Sequence, residues 1–149
     1  MSRPIQQFPL DLGYARRHFQ EAVTDAVEHV LADAERRAVR NATGAVLQRR
    51  TGRLARSIFH TVDTTGSRVT GTLGAGKGGV PYARIHEIGG VIEGRPWLVF
   101  QLPDGGWRKV RRVRIPKRPY LQPALEDALD QLDNALAAEL RPLLSLDVR

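Results

Sequence analysis

Two stretches of this chain come close to known chemical signatures. Gly71-Thr72-Leu73-Gly74-Ala75-Gly76-Lys77-Gly78 fits G-x-x-x-x-G-K, the opening of a phosphate-binding loop. That chemistry needs a hydroxyl after the lysine for Mg²⁺ and a helix whose first amides face the phosphate. Gly78 occupies the hydroxyl position, and Gly79-Val80-Pro81 stands where the helix would begin. A surface loop is the expectation, and no nucleotide cofactor. His86-Glu87 matches the start of H-E-x-x-H, but Gly90 replaces the second histidine that would close the grip on a metal. His86 is then expected to be packed or hydrogen-bonded, while His18, His29 and His60 lack a histidine or carboxylate neighbour at ligand spacing. Cysteine is absent, which removes disulfides, thiolate sites and cysteine nucleophiles. With no G-x-S-x-G elbow either, the expectation is a protein without catalytic, metal or cofactor residues.

The strongest unusual feature is electrostatic. Arg108, Lys109, Arg111, Arg112, Arg114, Lys117 and Arg118 place seven positive charges in eleven residues with no acid among them. From Leu121 onward, six acids face two arginines, a net −4, which leaves +11 for residues 1–120 of a chain at +7 overall. Such bipolarity suits a nucleic-acid binder with an acidic tail, or a subunit whose two ends attract copies of itself. The basic run can contact phosphates, pair with an acidic helix of a neighbour, or act as a solvated edge against aggregation. Aromatic residues stand only at its ends, Trp107 and Tyr120, which disfavours a single-strand stacking site.

These charges need a scaffold. Its 149 residues, 42% hydrophobic and 26% charged, suit one globular domain with a modest core. Met1 to Phe8 offers no apolar stretch for a signal peptide, and no segment nears the roughly 20 apolar residues that cross a bilayer. A soluble protein made in the cytoplasm, without membrane contact, is expected. Ala15, Phe19, Ala22, Val23, Ala26, Val27, Val30, Leu31, Ala34 and Ala38 recur at helical spacing, predicting a helix from about Asp11 to about Arg40. Helical character is expected across residues 10–48, with Asn41 and Gly44 weakening its end. A short turn, Thr51 to Ile58, leads into β-branched runs 58–62 and 68–73 that read as an antiparallel pair. Trp97 to Gln101 and Trp107 to Ile115 face each other across Pro103-Asp104-Gly105-Gly106, so residues 58–115 hold the sheet and a hairpin arm. Charge on both faces of the second strand argues for a projecting arm. Leu125, Ala128, Leu129, Leu132, Ala135, Leu136, Leu140 and Leu143 predict a last helix over 121–144, with Pro123 in its first turn. The fold class is α+β: an antiparallel sheet with a long projecting hairpin, packed against a long N-terminal helix and a C-terminal helix.

The order of three segments resembles the tail-completion and neck proteins of long-tailed bacteriophages, including the phage virion morphogenesis group. They are Thr51-Gly52-Arg53-Leu54-Ala55-Arg56-Ser57-Ile58, then Tyr82-Ala83-Arg84-Ile85-His86-Glu87-Ile88-Gly89-Gly90, then Ile115-Pro116-Lys117-Arg118-Pro119-Tyr120-Leu121-Gln122-Pro123-Ala124-Leu125. The resemblance implies a non-enzymatic virion protein that forms a six- or twelvefold ring at the head–tail junction or tail end. Its partners would be connector and tail-tube or terminator proteins around a channel that DNA traverses. It implies no catalytic residue, and makes Tyr82, His86, Glu87, Gly89 and Gly90 a structural turn that orients the sheet. The expected subunit contact sets Arg108 to Arg118 of one copy against Glu126, Asp127, Asp130 and Asp133 of the next, or against an acidic partner ring. A basic duplex-DNA-binding accessory protein using residues 108–118 is the alternative.

Overall fold

The computed structural model describes residues 12–47 and 51–144. Residues 10, 11 and 48, expected to be helical, lie outside the described residues, as do Asp147 and Arg149 of the charge tally. The order of elements is α1 (Leu12–Arg40), a π-helical turn (Asn41–Ala45), α2 (Arg53–Arg56), β1 (Phe59–Thr65), β2 (Arg68–Gly74), α3 (Tyr82–Ile88), β3 (Gly90–Gln101), β4 (Trp107–Ile115) and α4 (Gln122–Leu144). The architecture is α+β, as the periodicities predict.

At 29 residues, α1 spans about 43 Å. Its buried stripe is Ala22, Ala26, Val30, Leu31, Ala34 and Ala38, at the three- and four-residue spacing of one helix face. Alanines dominate where α4 lies against it, through Ala124 and Ala128, so the two helix axes can come close. The pairing of His29 with Glu139 at 3.7 Å and of Arg37 with Asp127 at 3.0 Å shows that the helices run antiparallel. Not all predicted core positions are used. Phe19 is 55% exposed and Leu129 is 57% exposed, because neither faces a neighbouring element among the described residues.

The β1–β2 hairpin lies along α1, with Phe59 opposite Gly74 and Thr65 opposite Arg68. Gly71 permits this approach. A Cβ there would fall 2.5 Å from Leu31 Cδ1 and 2.9 Å from Val27 Cγ1 on α1. A larger cluster unites Ala38, Ala42, Leu47, Leu54, Ile58, Val80, Ala83, Tyr120 and Ala124, so α1, α2, α3 and the entry to α4 share one core.

Three local readings change. The sheet is two separate two-stranded ribbons, β1–β2 and β3–β4, because the second carries charge on both faces and cannot be buried against a helix. Residues 53–56 form a helical turn, α2, after which the buried Ser57 hydroxyl donates to Leu54 O and accepts from Gly76 N–H. The expected structural turn at residues 82–88 is the two-turn helix α3, with Gly89 at its end. The helix after the glycine loop thus begins at Tyr82, five residues past Lys77, whose ammonium lies over the Phe59 ring instead.

Candidate assembly surface

The β3–β4 hairpin is the dominant exposed feature. Strand β3, at 12 residues, reaches about 40 Å, and the turn closes through Leu102 N–H to Gly106 O and Gly106 N–H to Asp104 Oδ1. No residue from Gly90 to Ile115 is buried. Register pairs Ile92 with Val113, Glu93 with Arg112, Leu98 with Val110 and Val99 with Lys109, with an irregularity between Glu93 and Leu98. Alternation then divides the arm. One face carries Ile92, Trp97 and Val99 beside Lys109, Arg111 and Val113; the other carries Val91, Leu98 and Phe100 beside Arg108, Arg112 and Arg114. Lys109 and Arg111 both sit 4.9 Å from the Trp97 ring centroid, a cation–π arrangement that orders the first face. All seven basic residues are exposed, and none forms an ion pair among the described residues.

The base of the arm is built by α3. Gly89, at φ +71°, lets the chain pass so close to the strand exit that a Cβ would lie 2.9 Å from Lys117 N and 3.2 Å from Ile115 O. Arg118 N–H donates to His86 O at 2.9 Å. The His86 ring meets Tyr82 edge-on, and burial, helped by the nearby Arg118 charge, lowers its pKa. The Glu87 carboxylate accepts N–H bonds from Tyr120 (2.9 Å), Leu121 (3.0 Å) and Gln122 (2.8 Å). Those are amides at the start of α4 that no helix carbonyl can reach, and a negative charge suits the positive end of the helix dipole. Tyr120 itself is fully buried and donates its hydroxyl to Ala83 O at 3.2 Å. Burial and the Glu87 charge push its pKa up to about 12. One short helix therefore positions both the arm and α4.

The profile of the phage virion morphogenesis family matches residues 23–141, from the first turn of the buried α1 stripe through the arm to α4. The chain belongs to the phage virion morphogenesis family. It is a phage structural and assembly protein, a component of virion construction. No curated protein and no solved structure matches the chain. Among the described residues, no helix of this virion morphogenesis protein is long and apolar enough to cross a membrane.

The acids of α4 do not meet the arm within one chain. Glu126, Asp127, Asp130 and Asp133 are all exposed, but Asp127 turns to Arg37 on α1. Glu126 accepts a bond from Gln122 Nε2 at 2.9 Å, and Lys117 reaches Gln122 Oε1 rather than a carboxylate. Asp130 and Asp133 form no ion pair among the described residues.

Sequence spacing missed one cluster. His60 on β1 bonds through Nε2 to Glu28 at 3.0 Å and through Nδ1 to Glu35, two carboxylates two turns apart on one face of α1. The Glu28 hydrogen bond is the chief cause of a raised His60 pKa, opposed by burial and supported by the Glu35 bond. A raised folded-state pKa means stabilisation that is complete below the ordinary value of 6.5 and is lost as pH rises through the folded value. Thermal melts of the wild type against His60→Gln should therefore show a gap that is wide at pH 5.5 and narrows by pH 8.5. A gap that widens toward alkaline pH would contradict this clasp. His18 also finds a carboxylate, Glu21, at 3.2 Å on its own helix.

Proposed function

We propose that this protein is a structural ring subunit at the head–tail junction or tail end of the virion. The observation that carries this reading is the arm: 26 residues of paired strand and turn without one buried side chain. A two-stranded ribbon alone is marginal in water, and its open edges invite pairing. Family membership supports an assembly role. The partners we propose are copies of the chain, the adjacent connector, and tail-tube or terminator proteins. Opposite charges at separate places on one subunit favour head-to-tail contact, which closes into a ring when the rotation permits. Six- or twelvefold closure around a channel that DNA traverses is what the resemblance implies for such a ring. The role is structural rather than catalytic.

Light scattering and electron microscopy of the purified protein should reveal closed rings, alone or with its virion neighbours. A chain that remains monomeric under both conditions would overturn the proposal. Arg111→Glu with Arg112→Glu is expected to abolish assembly while far-UV circular dichroism stays unchanged, since both side chains are exposed and bear on no core.

A second reading is favoured by Arg108, Arg112 and Arg114, three exposed guanidinium groups on one arm face that form no ion pair among the described residues, although Arg112 stands opposite Glu93. They could contact duplex DNA in the channel. If all three neutralise phosphates, log affinity should fall against log salt with a slope of about −3. A flat salt response would exclude DNA as the arm's partner.

A further inference from the structure

We propose that the apolar and cationic face of the β3–β4 arm docks on the outer face of α4 in a second copy of this chain. The proposal rests on the assembly reading above and names the two surfaces that meet. On the arm, Ile92, Trp97 and Val99 form a row along β3, exposed by 39%, 39% and 60%, and Lys109 and Arg111 form the adjoining row on β4. On α4, Leu125 and Leu129 are exposed and four residues apart, so they share one face. Glu126 and Asp130 form the next row at the same spacing.

Both surfaces thus consist of an apolar row beside a charged row, with opposite signs. The spacing also agrees. Lys109 and Arg111, two strand residues apart, stand about 6.7 Å from each other. Glu126 and Asp130, four helix residues apart, are separated by about 6 Å along the axis. Each cation can meet one carboxylate while the two leucines cover Trp97 and Val99. Asp133 lies one turn beyond Leu129 and extends the acidic side.

Within the chain these charges remain unmatched: the arm cations have no carboxylate, and Asp130 and Asp133 have no cation, among the described residues. Asp127 is excluded from the contact because Arg37 already holds it. Complementary charge of this kind sets register and rejects a like surface, so arm-on-arm pairing is disfavoured. The contact joins two different surfaces and is therefore heterologous, as a ring of more than two subunits requires.

The chain has no cysteine, so introduced thiols report a single contact. A Val99→Cys protein mixed with a Leu129→Cys protein should give a covalent dimer under mild oxidation. Val99→Cys mixed with Thr64→Cys, on the exposed edge of β1, should not. In parallel, Lys109→Glu with Arg111→Glu should weaken self-association at least tenfold. Mixing that variant with Glu126→Lys and Asp130→Lys should restore it, which a merely misfolded variant could not do. If light scattering shows assembly but the 99–129 link fails to form, or Val99→Cys links chiefly to itself, this docking pair is wrong and the ring reading survives. Failure of the exchanged charges to restore association rejects it as well. If neither the unaltered chain nor any mixture associates, the ring reading falls and takes the docking with it.

Discussion

Tyr120→Ala should destabilise the protein by about 3–5 kcal/mol, the range for truncating a large buried aromatic. Tyr120 is fully buried among Ala38, Ala42, Leu47, Leu54, Ile58, Val80, Ala83 and Ala124, so the cavity would open where four elements converge. Its hydroxyl bonds to Ala83 O, and its carbonyl accepts from Asn41 Nδ2 at 3.1 Å. Against a domain stability of roughly 5–15 kcal/mol, such a loss is a large share of the total. Tyr120→Phe keeps the ring and loses only the hydroxyl bond, so about 1 kcal/mol is expected. Urea unfolding followed by far-UV circular dichroism measures both. Tryptophan fluorescence does not serve, because Trp97 and Trp107 are both on the arm and exposed. A Tyr120→Ala effect below about 1 kcal/mol would mean that the cluster does not hold the fold together.

Glu87→Ala should cost about 2–3 kcal/mol, for a different reason. Three amides at the start of α4 lose their acceptor together, and bonds to a charged group are individually stronger than neutral ones. The three are not additive, since they converge on one carboxylate that is partly solvated, and water can replace some of what is lost. Glu87→Gln retains an acceptor oxygen and should recover part of the stability. The specific readout is hydrogen exchange. Amides of Tyr120, Leu121 and Gln122 should lose protection in Glu87→Ala well before those in the middle of α1. Uniform loss across both helices would show that Glu87 acts on the whole core rather than on the helix start. Because α3 also holds the strand exit through His86 O and Gly89, assembly should weaken in Glu87→Ala even though no arm residue has changed.

The resemblance noted among three short segments has a physical basis in these contacts. Thr51 to Ile58 supplies Leu54 and Ile58 to the core, Tyr82 to Gly90 supplies the Glu87 cap and the Gly89 passage, and Ile115 to Leu125 supplies Tyr120 and the amides that Glu87 receives. Each segment is weak alone because each is one side of a contact. The resemblance made 82–90 a turn, whereas residues 82–88 are helical and place Ala83 in the same buried cluster as Tyr120.

By itself, the sequence determined what depends on near neighbours. Helical periodicity placed the end of α1 and the start of α4 within a residue of where they are observed, turn chemistry placed the arm's tip, and counting charges revealed the opposed basic and acidic segments. Tertiary structure alone decided what depends on distance across the fold. It joined His60 to Glu28 and Glu35, gave Glu87 the start of a helix 33 residues away, paired Asp127 with Arg37 across α1 and α4, and left Leu125 and Leu129 facing out. The physical reason is that a repeat of 3.6 or 2 specifies which side chains share a face, whereas the element opposite that face is chosen by packing between parts far apart in the chain.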